Sequence, residues 1–249
     1  MTRLTELQAY LDALLQVSQF HDYCPNGLQV EGKAEVLRLA SGVTASVALI
    51  EQAQAWGADA LLVHHGYFWK NENPAVIGAK RQRLARLLAA DMSLLAYHLP
   101  LDAHPEYGNN AQLARHLGLS VDGQLAAEPL LWFGHLATPA TSHDFAQLLT
   151  TRLARAPLVI SGSERLIQRV AWCSGAAQGF LEQAAQAGMD AYLSGEVSEA
   201  STHLAREYGI HYFAIGHHAS ERYGVQALGA QLAAQFGLSH QFIDIPNPV

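Results

Sequence analysis

The chain has 249 residues and a mass of 27.0 kDa, with 50% hydrophobic and 15% charged residues, which excludes a disordered or collagen-like chain. A net charge of −7 excludes a general basic footprint for nucleic acid, and two cysteines exclude a disulfide scaffold and fit a reducing, cytoplasmic setting. No apolar run approaches the ~20 residues needed to span a bilayer. The 13 histidines are nearly as many as Lys and Arg together, which number 15. Histidine is the commonest metal ligand, so their placement matters.

Leu4, Leu7, Leu11, Leu14 and Leu15 recur at helical spacing. The chain therefore opens with an amphipathic helix and not a secretion signal. A loop over HDYCPNGLQVEG follows, punctuated by Pro25, Asn26 and Gly27. Residues 36–43 predict a strand, 46–56 a helix stopped by Gly57, and DALLVHHG a strand ending in two histidines. Next come a helix over 79–90, a strand at 93–98 and a helix over 109–117. The stretch 120–130 has no strong periodicity and reads as a boundary. Beyond it the pattern gives a strand at LWFGHLAT, a helix over 142–155, and strands at LVI and IQRVAWCSG. The series ends with a helix over 177–187, DAYLSGE, a helix over 197–208, HYFAIGHH, a helix over 222–236 and a strand HQFIDI. Alternating strands and helices predict an α/β fold with mixed sheets flanked by helices.

The second series repeats the first. Residues 51–62 match 182–193 at an offset of 131, and 111–120 match 230–239 at an offset of 119. Two blocks agreeing in the same order predict an internal duplication. The expected organisation is two similar α/β units, 1–125 and 126–249, with a metal cleft between them and the C-terminal segment able to pack back on the first.

The duplication organises the histidines. His98 and Asp102 correspond to His217 and Glu221, so each half has a histidine at a strand end and a carboxylate four residues later. Ligands bind at such strand ends in open α/β sheets. Imidazole with carboxylate suits Zn²⁺, Mn²⁺, Fe²⁺ or Co²⁺. His64 and His65 close another strand. Neighbours on an ideal strand face opposite ways, so they serve one site only if the chain turns, which Gly66 permits. Their counterparts are Gly195 and Glu196, which favours one composite site over two equal ones. His135, His143, His203, His211 and His240 read as surface or ordinary core residues. His104 and His218 read as supports for the ligands. Cys24 and Cys173 form no metal-binding spacing, and no phosphate loop or nucleophile elbow is present.

DYCPNGLQVEG, GADALLVHHGYFW, AYHLPLDAH, DAYLSGE, AIGHHASE and FIDIPNPV together resemble the GTP cyclohydrolase 1 type 2 homolog family in its short bacterial form. The resemblance implies two similar α/β halves, a toroidal homohexamer and a dinuclear metal site. It implies metal ligands at His64, His65, Asp102, His217 and Glu221, holding two divalent ions per subunit (Zn, Mn, Fe, Co or Ni). His98 matches a position close to the metals. Two metals sharing a water would activate it for hydrolysis, with His98 and Glu196 as candidate proton relays. The family name implies opening of a purine imidazole ring, with a nucleotide such as GTP as substrate. No sequence feature identifies guanine. The alternatives are a phosphoesterase or amidohydrolase on another small molecule, or a non-catalytic metal-binding regulatory scaffold. No membrane partner is expected, and the charge argues against nucleic acid.

Overall fold

The computed structural model describes residues 1–126 and 128–249. In chain order these form β1 (Thr2–Arg3), α1 (Leu4–Leu14), β2 (Gly27–Val30), β3 (Glu35–Val36), β4 (Arg38–Thr44), α2 (Val47–Trp56), β5 (Ala60–His65), α3 (Gly78–Ala89), β6 (Ser93–Ala96) and α4 (Leu99–Ala103). There follow α5 (Asn109–Leu117), β7 (Ser120–Leu125), β8 (Glu128–Ala140), α6 (Ser142–Leu153), β9 (Leu158–Ile160) and β10 (Ile167–Cys173). The chain ends with α7 (Leu181–Gln186), β11 (Ala191–Ser194), α8 (Glu199–Tyr208), β12 (His211–Ala214), α9 (His217–Phe236) and β13 (Ser239–Phe242). Among the described residues, no helix is long and apolar enough to cross a membrane.

The first unit comprises Met1–Gly108 and Arg222–Pro246. Its main sheet has the order β13-β4-β5-β6-β2, parallel except for β2, and β1 pairs separately with β3. Alternation along the strands divides its core in two. Leu39, Ala60, Leu62, Leu95 and Tyr97 meet Leu4, Leu7 and Leu11 of α1 and Val225, Leu228 and Leu232 of α9. Ala40, Leu61, Val63, Leu94 and Ala96 meet Leu49, Ile50 and Ala53 of α2 and Leu87 of α3. Ser46 caps α2 by accepting from the Leu49 amide at 3.2 Å, and Gly57 ends it in the left-handed region at φ +80°.

The second unit comprises Asn109–Glu221 and Asn247–Val249. Its sheet has the order β7-β8-β10-β11-β12-β9. β10, β11 and β12 are parallel; β8 and β9 run antiparallel to their neighbours. Leu131, Ala171, Tyr192 and Tyr212 pack on Leu181 and Ala184 of α7 and Ala205 of α8.

The duplication is visible in the ladders. β2-β6-β5-β4 and β9-β12-β11-β10 share the same order and the same one antiparallel edge. Asp59 accepts from the amides of Leu37 and Arg38, both at 3.0 Å. Asp190 accepts from those of Gln168 and Arg169, at 3.0 and 2.7 Å. The Arg38 guanidinium reaches the Trp56 carbonyl, and that of Arg169 the Ala187 carbonyl. All these pairs keep the offset of 131 read from the sequence.

Several expected elements differ. The stretch 120–130 holds β7 and the start of β8, an antiparallel pair whose largely exposed faces hide its alternation; Ala127, inside it, lies outside the described residues. β2 occupies part of the expected loop. The helix expected over 177–187 is a short 3₁₀ turn, Gln178–Phe180, followed by α7. α9 begins at His217 and not at 222, because its first turn carries polar site residues in place of an apolar stripe.

Candidate metal centre

In the first unit, β5 ends at His64 and His65. The His64 side chain is fully buried, and the two rings lie 4.5 Å apart between centroids. Both residues nevertheless lie within β5, whose ladder with β4 continues to Thr44 opposite His65, so the rings come together without the strand turning between them. Gly66 has no room for a side chain: a Cβ there would overlap Gln29 and Ala96. The Gln29 carboxamide accepts from the Tyr67 amide at 2.7 Å and donates to the Tyr67 carbonyl at 3.1 Å, which holds this turn. His98 caps α4, with its ring 5.0 Å from that of His64 and 5.7 Å from that of His65. One donor atom from each of these three rings lies within 4.8 Å of the others.

The nitrogens these rings offer follow from their other partners. His64 Nδ1 lies 3.0 Å from the Tyr97 carbonyl oxygen, which can only accept, so Nδ1 carries the proton and Nε2 the lone pair. His98 Nδ1 lies 2.8 Å from Asp22 Oδ1 by the same logic. His65 Nδ1 is 3.1 Å from the Thr44 hydroxyl. His64 Nε2 faces Asp102 Oδ1 at 3.5 Å. An imidazole nitrogen beside a buried carboxylate is a nitrogen–oxygen donor pair of the kind that holds a divalent cation. This donor set fits a metal ion, with the ring orientation set by the outer hydrogen bonds, as is usual for ligating histidines.

Asp22 is the residue the sequence reading did not single out. Burial would raise its pKa, but hydrogen bonds from His98 and Asn26, the His98 charge and the Leu99 amide bring it down to about 2. Cys24 belongs to the same cluster. Burial, with Asp22 beside it, pushes its thiol up to about 12, so it stays protonated and offers no thiolate. His104 accepts from the amides of Glu106 and Tyr107 and stacks on Tyr107, which makes it a turn-holder.

In the second unit, His217 opens α9 and Glu221 follows one turn later. His217 Nε2 is 3.0 Å from Glu221 Oε2, and its Nδ1 is 2.7 Å from Glu196 Oε1. Burial works against a charged ring here, but the two carboxylates outweigh it and raise His217 to about 9. The ring thus holds a proton where a cation can replace it, and the donor set fits a metal. Gly175 makes the room: with φ +67°, it lies where a Cβ would overlap Glu221 Oε1. The Gly175 amide donates to the Ser220 hydroxyl at 3.0 Å, and its carbonyl accepts from Gly195 at 2.9 Å. Glu196, the counterpart of His65, therefore supports His217 directly.

Two duplicated α/β units with imidazole and carboxylate donors at strand ends support a metal-dependent enzyme. A family model described as Duf34/NIF3 (NGG1p interacting factor 3) matches residues 2–248, and the chain belongs to that family. The GTP cyclohydrolase 1 type 2 homolog of Allochromatium vinosum is 57% identical over 249 residues, covering 100% of this chain and 98% of that protein. The protein of the same name from Escherichia coli K12 is 51% identical over 245 residues, 98% of each chain. Among solved structures, protein ybgI is 50% identical with a TM-score of 0.96, and TTHA1606 from Thermus thermophilus is 35% identical with a TM-score of 0.92; each comparison covers all of both chains.

Proposed function

We propose that this chain is a dinuclear metal-dependent hydrolase acting on a small molecule. His64, His65, Asp102, His217 and Glu221 would hold two divalent ions per subunit. The observation that carries the reading is the orientation of His64: its Nδ1 is directed at the Tyr97 carbonyl and its Nε2 faces the buried Asp102 carboxylate at 3.5 Å. A pair of divalent ions supplies charge that lowers the pKa of a water toward neutrality and stabilises the oxyanion formed on attack.

The residues of this chain do the rest. His98, whose ring lies beside those of His64 and His65, and Glu196, bonded to the His217 ring, are the candidate proton relays. The name carried by the curated relatives supports a nucleotide substrate and opening of its purine imidazole ring. A closed homo-oligomer, a hexamer, belongs to this reading on the family resemblance alone; a monomeric mass by light scattering at micromolar concentration would count against it.

The experiment is turnover with added Mn²⁺, Zn²⁺ or Fe²⁺ against nucleotides, cyclic amides and phosphoesters. The expected result is hydrolysis in one class that His64→Ala or Glu221→Ala abolishes. Stoichiometric metal binding with no turnover in any class would replace the hydrolase by a metal-binding scaffold.

A further inference from the structure

We infer that Asp22 and Asn26 are positioning residues: together they lock His98 in the tautomer that carries its proton on Nδ1 and keep its Nε2 lone pair for the His64–His65 cluster. A neutral imidazole has one N–H and one acceptor nitrogen, and the partner of one decides the role of the other. Asp22 Oδ1 lies 2.8 Å from His98 Nδ1, and Asp22 Oδ2 already accepts from the Leu99 amide and the Asn26 carboxamide, so the carboxylate faces His98 as an acceptor. Nδ1 must therefore donate, and in the neutral ring Nε2 is left as the acceptor.

The clamp holds backbone as well as ring. Asn26 Oδ1 accepts from the His98 amide at 2.7 Å, and Asp22 Oδ2 accepts from the Leu99 amide at 2.9 Å. The Asn26 carboxamide donates to Asp22 Oδ2 at 2.9 Å, which ties the two clamp residues together. The Trp69 ring meets the His98 ring edge to face at 5.0 Å and limits its tilt. Ring, tautomer and strand-end backbone are thus fixed from one loop.

The consequence for chemistry rests on the proposed hydrolase. A water held beside this cluster loses a proton to His98 Nε2: the O–H bond breaks, its electron pair stays on oxygen, and the proton forms an imidazolium. That imidazolium faces Asp22, whose charge compensates it, the role a buried Asp plays behind the histidine of a catalytic triad. Asp22 and Asn26 touch no reacting atom in this scheme.

The test is the tautomer, read without any substrate. Protein labelled with ¹⁵N-histidine and loaded with Zn²⁺ is examined by ¹⁵N NMR, with His98→Gln used to assign the His98 signals. The expected result is a protonated, pyrrole-type Nδ1 and an unprotonated, pyridine-type Nε2. Asp22→Ala should convert His98 to the opposite tautomer or to exchange between the two. Asp22→Asn should aim its one oxygen at the Leu99 N–H and the Asn26 amide, both donors, and its NH2 at His98 Nδ1, and so should also favour the tautomer protonated on Nε2. A wild-type His98 with its proton on Nε2 overturns the proposal, and that measurement needs only the His98→Gln assignment variant to fold. So does an unchanged spectrum in folded Asp22→Ala. Metal analysis of the same wild-type sample separates the two claims: no bound metal defeats the dinuclear reading and leaves the tautomer result standing.

Discussion

At the scale of single residues, the donor groups depend on the atoms behind them. His64, His98 and His217 each have Nδ1 directed at an oxygen acceptor, from Tyr97, Asp22 and Glu196 respectively. Loss of such outer partners costs metal affinity or activity by roughly 10–100-fold in known metal sites. Gly175 is the sharpest case, because its left-handed backbone and the overlap of a Cβ with Glu221 leave an alanine no easy position. Gly175→Ala is expected to weaken Zn²⁺ binding at least about 10-fold while the chain still folds. Chelator competition reads the affinity and circular dichroism the fold. Wild-type affinity in a folded variant would show that Glu221 needs no help from that turn. The candidate donors were legible because histidine and carboxylate stood at strand ends of a repeat. Asp22 and Asn26 were not, because they lie more than 70 residues from His98 and only the fold brings them to it.

At the scale of elements, α9 and β13 show how a helix interior can be shaped by a neighbour. Gly229 sits within α9, where alanine would ordinarily favour the helix by about 1 kcal/mol. Here a Cβ would overlap the His240 ring of β13. Gly229→Ala should therefore destabilise, by about 1–3 kcal/mol, as overpacking does. Urea unfolding decides the sign, and a stabilised variant would refute the packing argument. His240 itself bonds the Ser41 hydroxyl of β4 at 2.8 Å, and burial lowers its pKa below the ordinary value of 6.5. The unfolded chain then binds a proton more readily than the folded one. Stability from this site is full above about pH 6.5 and falls as the pH drops below it. The stability difference between wild type and His240→Gln should shrink between pH 7.5 and 5.5; a difference that grows on acidification would contradict the buried neutral ring. The helices and parallel strands of both repeats were readable from apolar period and Gly stops. β7 was not, because an edge strand exposed along most of its length lacks the alternation that burial imposes.

At the scale of the whole molecule, the sequence repeat and the compact unit are different partitions. α5 and β7 correspond by sequence to the end of α9 and β13. Yet α5 and β7 belong to the second unit, while α9 from Arg222 onward and β13 belong to the first. The repeats have exchanged their last helix and strand. An amphipathic stripe such as Val225, Leu228 and Leu232 fits either of two similar sheets, so periodicity alone does not say which one it covers; here it covers Leu4, Leu7 and Leu11. A chain ending at Glu221 should lose the fold of its first unit, seen as loss of cooperative unfolding and gain of dye-binding apolar surface. Cooperative unfolding at the wild-type temperature would show that α9 is dispensable there.

The claim that everything functional rests on is a shared pair of metal ions. The five proposed ligands would offer three imidazole nitrogens and two carboxylates, too few for two four-coordinate ions unless a carboxylate bridges and water fills the remainder. Removing the bridge leaves two cations repelling each other at short range. The decisive measurement is metal content per chain, by elemental analysis of protein purified without chelator or affinity tag, for wild type, Glu221→Ala and His64→Ala. The account predicts about two ions in wild type, loss of both in Glu221→Ala, and preferential loss of one in His64→Ala. Two ions retained at full affinity in Glu221→Ala, or a wild-type chain that binds none, would contradict it.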